Sequence, residues 1–596
     1  MVRHHTILNL GPLAELPDTE QKRELGLRIE QLVKQDATGI QELYPVNDPA
    51  VEQLAQQFFG QIKQKQRLDL QSGKDLHTID ADSLKNKNVR EAGVEWLCLQ
   101  ALEQLKIDSF LRTKQWDEEQ IQLALTHIVS RASYPASELR TSKWIQQNSA
   151  ICELTGYPVA QITKDKLYGI SHKLYEVKDE LELHLSSRTN ELFDLDDKII
   201  IYDLTNTYFE GSVRNSSIAR FGRSKEKRSD ARLIVLAVVV NTEGFLKYSQ
   251  TFEGNMSDSA SLGHIIKQLS ARTSATGRKP VVVMDAGIAS ESNLALLREQ
   301  GYDYMCVSRA GMSKYQVDAE AAPVNITDKK KQPMTLQRVK VEDTTDTWLR
   351  IHSPAKAIKE LGMNSRFAEA FERGLAQIKK SLSKKGGVKK RDKVWERIGR
   401  LKAKYPSIHK HYQIEAKSDE KDIVTEMTWT CEPVAKNEGY YLLRTTLKEQ
   451  DEHTQWTIYN TIREIEATFR VLKTDLDLRP IYHKTDAAAL AHLHLGLLAY
   501  WIVNTVRHQL KQKGNNTQWK DIVRTMNTQK MVTTTMDDKY GQRIEIRQCS
   551  EPTAEVEAIY QALGSRTKPF GRKKSVVPLA VTKILEIPVN RAFEPT

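Results

Sequence analysis

The sequence predicts an α/β protein whose strand-rich core follows a mainly helical N-terminal region, and three features of the residue pattern lead there. Before about residue 190, apolar side chains recur at three- and four-residue spacing, the period of helices with one buried face. From Lys198 the chain changes to short continuous apolar runs rich in β-branched residues, separated by helical stretches. From about Ala310 to Glu438 this alternation is lost, and it resumes as two long helical patterns.

Each element follows from its own residues. Residues 89–111, 121–128 and 167–185 carry the helical period. Ile199-Ile200-Ile201-Tyr202 has the composition of a strand buried on both faces. Residues 233–240 form a second run, Asn241-Thr242-Glu243-Gly244 supplies turn chemistry, and residues 245–252 complete a hairpin. A helix over 259–269, a strand at Val281-Val282-Val283-Met284, a helix over 292–300 and a strand around 304–307 follow. Three strands, helix, strand, helix, strand is the order of a ribonuclease-H-like fold. A long helix is expected from near Trp456 to about Leu476, then an apolar one over 487–506. The latter contains His492, His494 and Asn504, which a bilayer core would penalise, so it reads as a buried core helix. His483, His492 and His494 read as packed, hydrogen-bonded histidines rather than a metal site.

Five regions result. Residues 1–190 are the helical N-terminal region, 191–310 the first part of the core and 311–450 an insertion. Residues 451–510 hold the last core helices and 511–596 a C-terminal region. The fold class is therefore α/β, with a ribonuclease-H-like core and an inserted domain before its last catalytic helix.

Hydrophobic residues at 40% and charged residues at 28% describe an ordinary globular chain. The net charge of +11 favours a polyanionic partner, although basic enzymes without one are common. Residues 371–410 concentrate it, with 14 Lys or Arg against three acids; this is either a solvated basic face or a phosphate-contacting one. A smaller basic cluster spans Lys568 to Lys574. Cys98, Cys152, Cys306, Cys431 and Cys549 are too scattered for a zinc motif, and no apolar N-terminal run resembles a signal peptide. A cytoplasmic protein with no membrane partner is the expectation.

Asp203 and Asp285 stand at the ends of the first and fourth apolar runs, where a carboxylate can face a cleft; an isolated Asp there is more often a turn former or cap. The first and fourth strands are neighbours in the expected fold, so the two would converge. The third candidate lies in Tyr459-Asn-Thr-Ile-Arg-Glu-Ile-Glu466-Ala-Thr-Phe-Arg-Val-Leu-Lys473. On one continuous helix Tyr459, Glu466 and Lys473 share a face, beside a buried stripe of Ile462, Ile465, Phe469 and Leu472, while Glu464 points elsewhere. Three carboxylates supply oxygen ligands of the kind Mg²⁺ or Mn²⁺ takes, and two such ions promote phosphodiester chemistry.

At these residues the sequence resembles the DDE transposases of bacterial insertion sequences. The similar branch carries its Glu in a Tyr-x2-Arg-x3-Glu-x6-Lys motif, preceded by an insertion domain. The likeness covers Ile201 to Gly211, the basic loop Gly222 to Asp230, Phe252-Glu-Gly-Asn-Met-Ser-Asp258 and Met284-Asp-Ala-Gly287. It continues through Glu466 to Lys473, Leu478-Arg-Pro-Ile-Tyr-His483 and Arg3 to Gly11. The intervals of 82 residues from Asp203 to Asp285 and 181 from Asp285 to Glu466 fit the branch. One departure is Ile462 where the family has Arg; Arg463 is adjacent, and Arg470 could compensate. The resemblance implies cut-and-paste transposition: strand cleavage and strand transfer with Asp203, Asp285 and Glu466 holding two Mg²⁺ ions, for which Mn²⁺ could substitute. It implies DNA contacts from Tyr459, Lys473, Arg463, Arg470, Lys225 and Arg228, and a homodimer pairing two element ends on DNA. A nuclease without strand transfer would use the same triad, and a domesticated DNA-binding protein would have no need of it.

Overall fold

The computed structural model describes residues 8–13, 16–38, 48–69, 77–213, 215–224, 228–273, 279–308, 315–317, 321–328, 331–342, 344–432, 438–448 and 451–578. Arg3 to Ile7 and Lys225, named above, lie outside them. The chain forms two compact units. One is built from residues up to Asn86, Thr534–Ile546 and the segment from Lys574; the other from Lys87–Thr533 and Arg547–Lys573. In the first, the helices Thr19–Thr38 and Pro49–Asp69 close a small core through Leu25, Leu32, Val51 and Ala55, with an Arg28–Glu52 ion pair of 2.7 Å.

In the second unit the apolar runs build one ten-stranded sheet: β1 (Ile199–Tyr208), β2 (Leu233–Asn241), β3 (Leu246–Glu253), β4 (Val281–Met284), β5 (Tyr304–Ser308), β6 (Tyr315–Val317), β7 (Val324–Thr327), β8 (Pro333–Val341), β9 (Thr347–His352) and β10 (Tyr440–Thr445). The spatial order is β3-β2-β1-β4-β5-β10-β9-β8-β6, with β7 also paired to β8. β4 runs parallel to β1 and to β5, and the other pairs are antiparallel. The helices that matter for the site are α1 (Asp258–Thr273), α2 (Glu291–Glu299), α3 (Pro354–Ser383), α4 (Arg391–Lys404), α5 (Glu452–Asn460), α6 (Ile462–Arg470) and α7 (Asp486–Gln512).

Strand alternation divides the first five strands between two cores. Ile200, Tyr202 and Leu204 join Val282, Met284 and Tyr304 under Leu262, Ile265 and Leu269 of α1 and Leu294 and Leu297 of α2. On the other face Ile201, Val238, Val283 and Met305 pack with Ile465 and Phe469 of α6 and with α7. α7 is apolar nearly all round, so one covering layer cannot bury it. The sheet covers one side; helices Gly93–Leu105, Glu118–Ser133 and Lys164–Glu176 contribute to the same core, as do Trp519–Met526 and Ala554–Leu563. Residues 93–193 thus share the core of the sheet.

The hairpin β2–β3 turns where its residues demand. Gly244 takes φ +78°, and the Asn241 side chain accepts hydrogen bonds from the Glu243 and Phe245 amides at 3.1 and 2.9 Å. Gly254 has another role: a Cβ there would lie 2.0 Å from the Leu233 carbonyl oxygen and 2.6 Å from that of Arg220, so only glycine lets these backbones meet.

The segment expected as an insertion divides in two. β6–β10 extend the central sheet, whereas α3, α4 and a two-stranded sheet (Tyr412–Ser418 and Val424–Cys431) enclose a separate core of Phe371, Leu375, Ile378, Val394, Ile398 and Met427. Its outer face exposes Arg373, Lys379, Lys380, Lys384, Lys385, Lys390, Arg391, Lys393, Arg397, Arg400, Lys404 and Lys410.

Burial of histidine in this core makes stability acid-sensitive. His127 is 2% exposed; burial above all, then nearby Arg131 and His492, lower its pKa to about 4, while Glu138 opposes them. The unfolded chain therefore binds a proton between pH 6.5 and 4 that the folded chain does not, so stability is complete above pH 6.5 and falls on acidification. At pH 5 the loss is about 2 kcal/mol for this residue. Thermal melts of wild type and His127→Gln from pH 7.5 to 5 should show a shallower decline in the variant; identical slopes would contradict the assignment.

Candidate active site

β1 does not end at Asp203. Leu204-Thr-Asn-Thr-Tyr208 continues it, because β2 goes on pairing as far as Tyr208↔Leu233. What ends is its other neighbour: the parallel β4 pairs with β1 only from Ile199↔Val281 to Tyr202↔Met284. Asp203 is thus the first residue of β1 without β4 beside it, and Asp285 is the first beyond β4. Each directly follows the last paired residues, Tyr202 and Met284, so the register brings the two aspartates out next to each other where the strands part. Both side chains fall on the face of Ile201 and Val283, the face that α6 covers.

The local backbone fixes the two aspartates differently. Asp203 is half-buried, and its Oδ1 accepts from the Leu204 amide at 2.7 Å. Asp285 is exposed and begins a turn in which its carbonyl accepts from the Ile288 and Ala289 amides at 3.0 and 3.3 Å. Asn293 Nδ2 donates to the carbonyls of Ile288 and Ser259 at 2.7 and 2.8 Å, pinning that turn to α1 and α2.

The third segment is not the continuous helix its periodicity suggests. α5 stops at Asn460, a tight turn at Thr461 intervenes, and after Arg470 the chain widens into a π-turn, Val471–Asp475. Thr461 causes the first break: its hydroxyl donates to the Ile458 carbonyl at 2.6 Å, and its own carbonyl accepts from Glu464 only three residues on. Tyr459 and Lys473 therefore lie on either side of α6 rather than two ideal turns from Glu466.

Even so, the charge of Glu466 reaches Tyr459. Burial chiefly raises the Tyr459 phenol well above its ordinary range, and the charges of Asp285 and Glu466 add to it, so one hydroxyl lies in the field of both carboxylates. Glu466 is exposed, and its neighbours Ile465 and Phe469 anchor α6 in the core. Glu464 turns away, into a separate 210 Å³ cavity beside Tyr500, Asn504, Arg507 and His508. The register thus brings Asp203 and Asp285 to one end of the β1–β4 pair, and the Tyr459 hydroxyl feels the charges of Asp285 and Glu466.

The basic candidates scatter more. Arg463 is exposed, and its charge reaches Tyr441 of β10, whose ring lies 6.4 Å from that of Tyr459. Arg470 is exposed and within the field of Asp475. Lys473 is half-buried in the π-turn. Arg228 is committed locally: it bonds Asp230 at 2.9 Å and Glu210 at 3.0 Å and sits 4.6 Å over the Tyr208 ring.

A network that the sequence did not disclose holds β5 and β10 beside the site. Asp346 accepts from Tyr304 at 2.7 Å and from Arg298 and Arg444, and Arg444 also pairs with Glu291 near the Asp285 turn. Its members are far apart in the chain, so no local spacing announces it.

The all-oxygen donor set of Asp203, Asp285 and Glu466 fits hard divalent cations of the Mg²⁺ type. Residues 194–502 match the family described as "Transposase DDE domain", which spans just over half of the chain. No curated protein matches. Among solved structures, a chain of the "piggyBac transposase synaptic complex with hairpin DNA" is similar at 8% identity and a TM-score of 0.32, covering 76% of this chain and 82% of that one; a score so low carries no argument.

Proposed function

The chain belongs to the family of the transposase DDE domain, and from that premise we propose that it is a cut-and-paste DNA transposase of the bacterial insertion-sequence type. The observation that carries the proposal is the register of β1 and β4, which sets Asp203 and Asp285 next to each other under the helix that bears Glu466. In this reading β1–β5 with α1, α2, α6 and α7 are a ribonuclease-H-like core. The α3–α4 module is inserted into it, and its basic face tracks DNA phosphates.

Asp203, Asp285 and Glu466 are the metal ligands, and two Mg²⁺ ions bound there would activate the attacking oxygen and neutralise the leaving one. The protein's own contribution is positioning and charge. The three carboxylates hold negative charge rather than exchange protons. Tyr459, kept protonated by its raised pKa, is able to donate a hydrogen bond to a phosphate oxygen. Lys473, Arg463 and Arg470 flank it as backbone contacts. Arg228 is tied to Glu210 and Asp230. First water and then the freed 3′-hydroxyl attacks a phosphodiester at the same carboxylates. Two copies, one on each element end, complete the assembly.

The test is a cleavage and strand-transfer assay on labelled duplex carrying the element's ends, with Mg²⁺ and a target plasmid. Cut ends joined to the target are the expected product. Cutting without joining would indicate a nuclease, and tight binding with neither step a DNA-binding descendant.

A further inference from the structure

Away from the three carboxylates, the chain gathers a second set of ligand-type groups. Glu138 opens the helix Glu138–Gln147, His483 precedes α7, and His492 lies in its second turn. His483 Nε2 and His492 Nδ1 stand 3.8 and 4.0 Å from the same Glu138 oxygen, and one ligand atom from each residue fits within 4.8 Å of the others. These separations are too long for hydrogen bonds, and a small inward shift of the three side chains would bring their ligand atoms to one centre.

Two of these groups keep an unpartnered atom. Glu138 is 2% and His492 6% exposed, yet Glu138 Oε2 and His492 Nδ1 are buried with no hydrogen-bond partner. Buried polar atoms in native cores are nearly always satisfied, so the gap between them calls for an occupant. Arg131 lies against His492, and its guanidinium already donates to the carbonyls of Ala136 and Asp477 at 3.0 and 3.1 Å. Its 3.5 Å approach to His492 Nε2 is at the outer limit of a hydrogen bond and is expendable.

We propose that Glu138, His483 and His492 form a binding site for a nitrogen-preferring divalent cation, Zn²⁺ in the first place. Two imidazoles and one carboxylate are a zinc donor set, whereas Mg²⁺ demands oxygen. The site lies at the wall of a cavity of about 740 Å³ shared with Tyr168, Arg140 and Arg479, from which water completes the coordination. Its place in the fold gives the role. Ile481, two residues before His483, exchanges backbone hydrogen bonds with Tyr208 and Glu210 at the end of β1, both at 2.9 Å. The ion therefore fastens the segment that follows the Glu466 helix to the helix Glu138–Gln147 and to α7. The proposal is independent of the transposition chemistry, because none of its ligands is among the three carboxylates.

The experiment uses the full chain, stripped of metal and titrated with Co²⁺ and Zn²⁺ in excess Mg²⁺. One equivalent of Co²⁺ should give the visible absorption of a low-coordinate site and be displaced by Zn²⁺. His483→Asn and Glu138→Gln should each weaken binding at least tenfold, while Asp285→Asn leaves it unchanged. Should both ligand variants misfold, Zn²⁺ should protect His483 of the wild-type chain from carbethoxylation, read by peptide mass. No Co²⁺ absorption, equal affinity in a folded His483→Asn, or no protection by Zn²⁺ would overturn the proposal and leave a water-bridged polar cluster.

Discussion

Asp203→Asn and Asp285→Asn are each expected to lower strand cleavage by at least about 10³-fold, equivalent to roughly 4 kcal/mol of barrier, with little effect on folding. Asparagine keeps the shape and one oxygen but removes the charge that binds a hard cation. The fold should survive because Asp285 is exposed and Asp203 half-buried, at the point where β4 leaves β1. The third ligand has an internal control. Glu466→Gln should match the aspartate variants, whereas Glu464→Gln, altered in the cavity beside Tyr500 and Arg507, should stay within a few-fold of wild type. Single-turnover cleavage with Mg²⁺ measures all four, and circular dichroism confirms their folding. Equal losses for the two glutamates would refute the assignment of α6, and full activity in Asp285→Asn would refute the site as a whole.

The largest stability effect is expected at Trp501. It is 1% exposed in α7, the helix enclosed between the sheet and the helices Gly93–Leu105, Glu118–Ser133 and Lys164–Glu176. Trp501→Ala removes a full aromatic volume from a site that cannot collapse from either side, at a cost of about 3–5 kcal/mol. Its neighbour Tyr500 bonds the Gly244 carbonyl at 2.8 Å and the Thr468 hydroxyl at 2.9 Å, so α7 is also what seats α6. Denaturant midpoints should fall strongly for Trp501→Ala and much less for Trp501→Phe. A midpoint within error of wild type would mean that α7 is not the central packing element.

Sequence and structure agree where burial is strong on both faces. The runs at 199–202, 233–240, 245–252, 281–284 and 304–307 are strands, and α7 is a buried core helix, because continuous apolarity leaves few alternatives. Most of the disagreements share a cause: they depend on partners distant in the chain. Leu204 to Tyr208 stays in the sheet although its composition turns polar, since β2 is there to pair with it. β8 and β9 have mixed, half-exposed faces and were hidden inside a segment without clear period. The break at Thr461 and the π-turn at Val471–Asp475 are local but turn on single hydrogen bonds that periodicity does not register. His494 is packed against Tyr175 as a core histidine, whereas His483 and His492 find Glu138, a partner no spacing could reveal. Around the proposed site, the end of β4 at Met284 was legible in its apolar run, while the continuation of β1 past Asp203 was not.

The Ser353 amide donates to the Gly439 carbonyl at 2.9 Å, so the path out of β9 and the return into β10 touch each other. Beyond that point α3 and α4 close a core of their own. Length changes there leave the strand register untouched, whereas one residue gained or lost within β8, β9 or β10 would turn every following side chain to the opposite face. The basic module can therefore change length without disturbing the register of the strands that frame it.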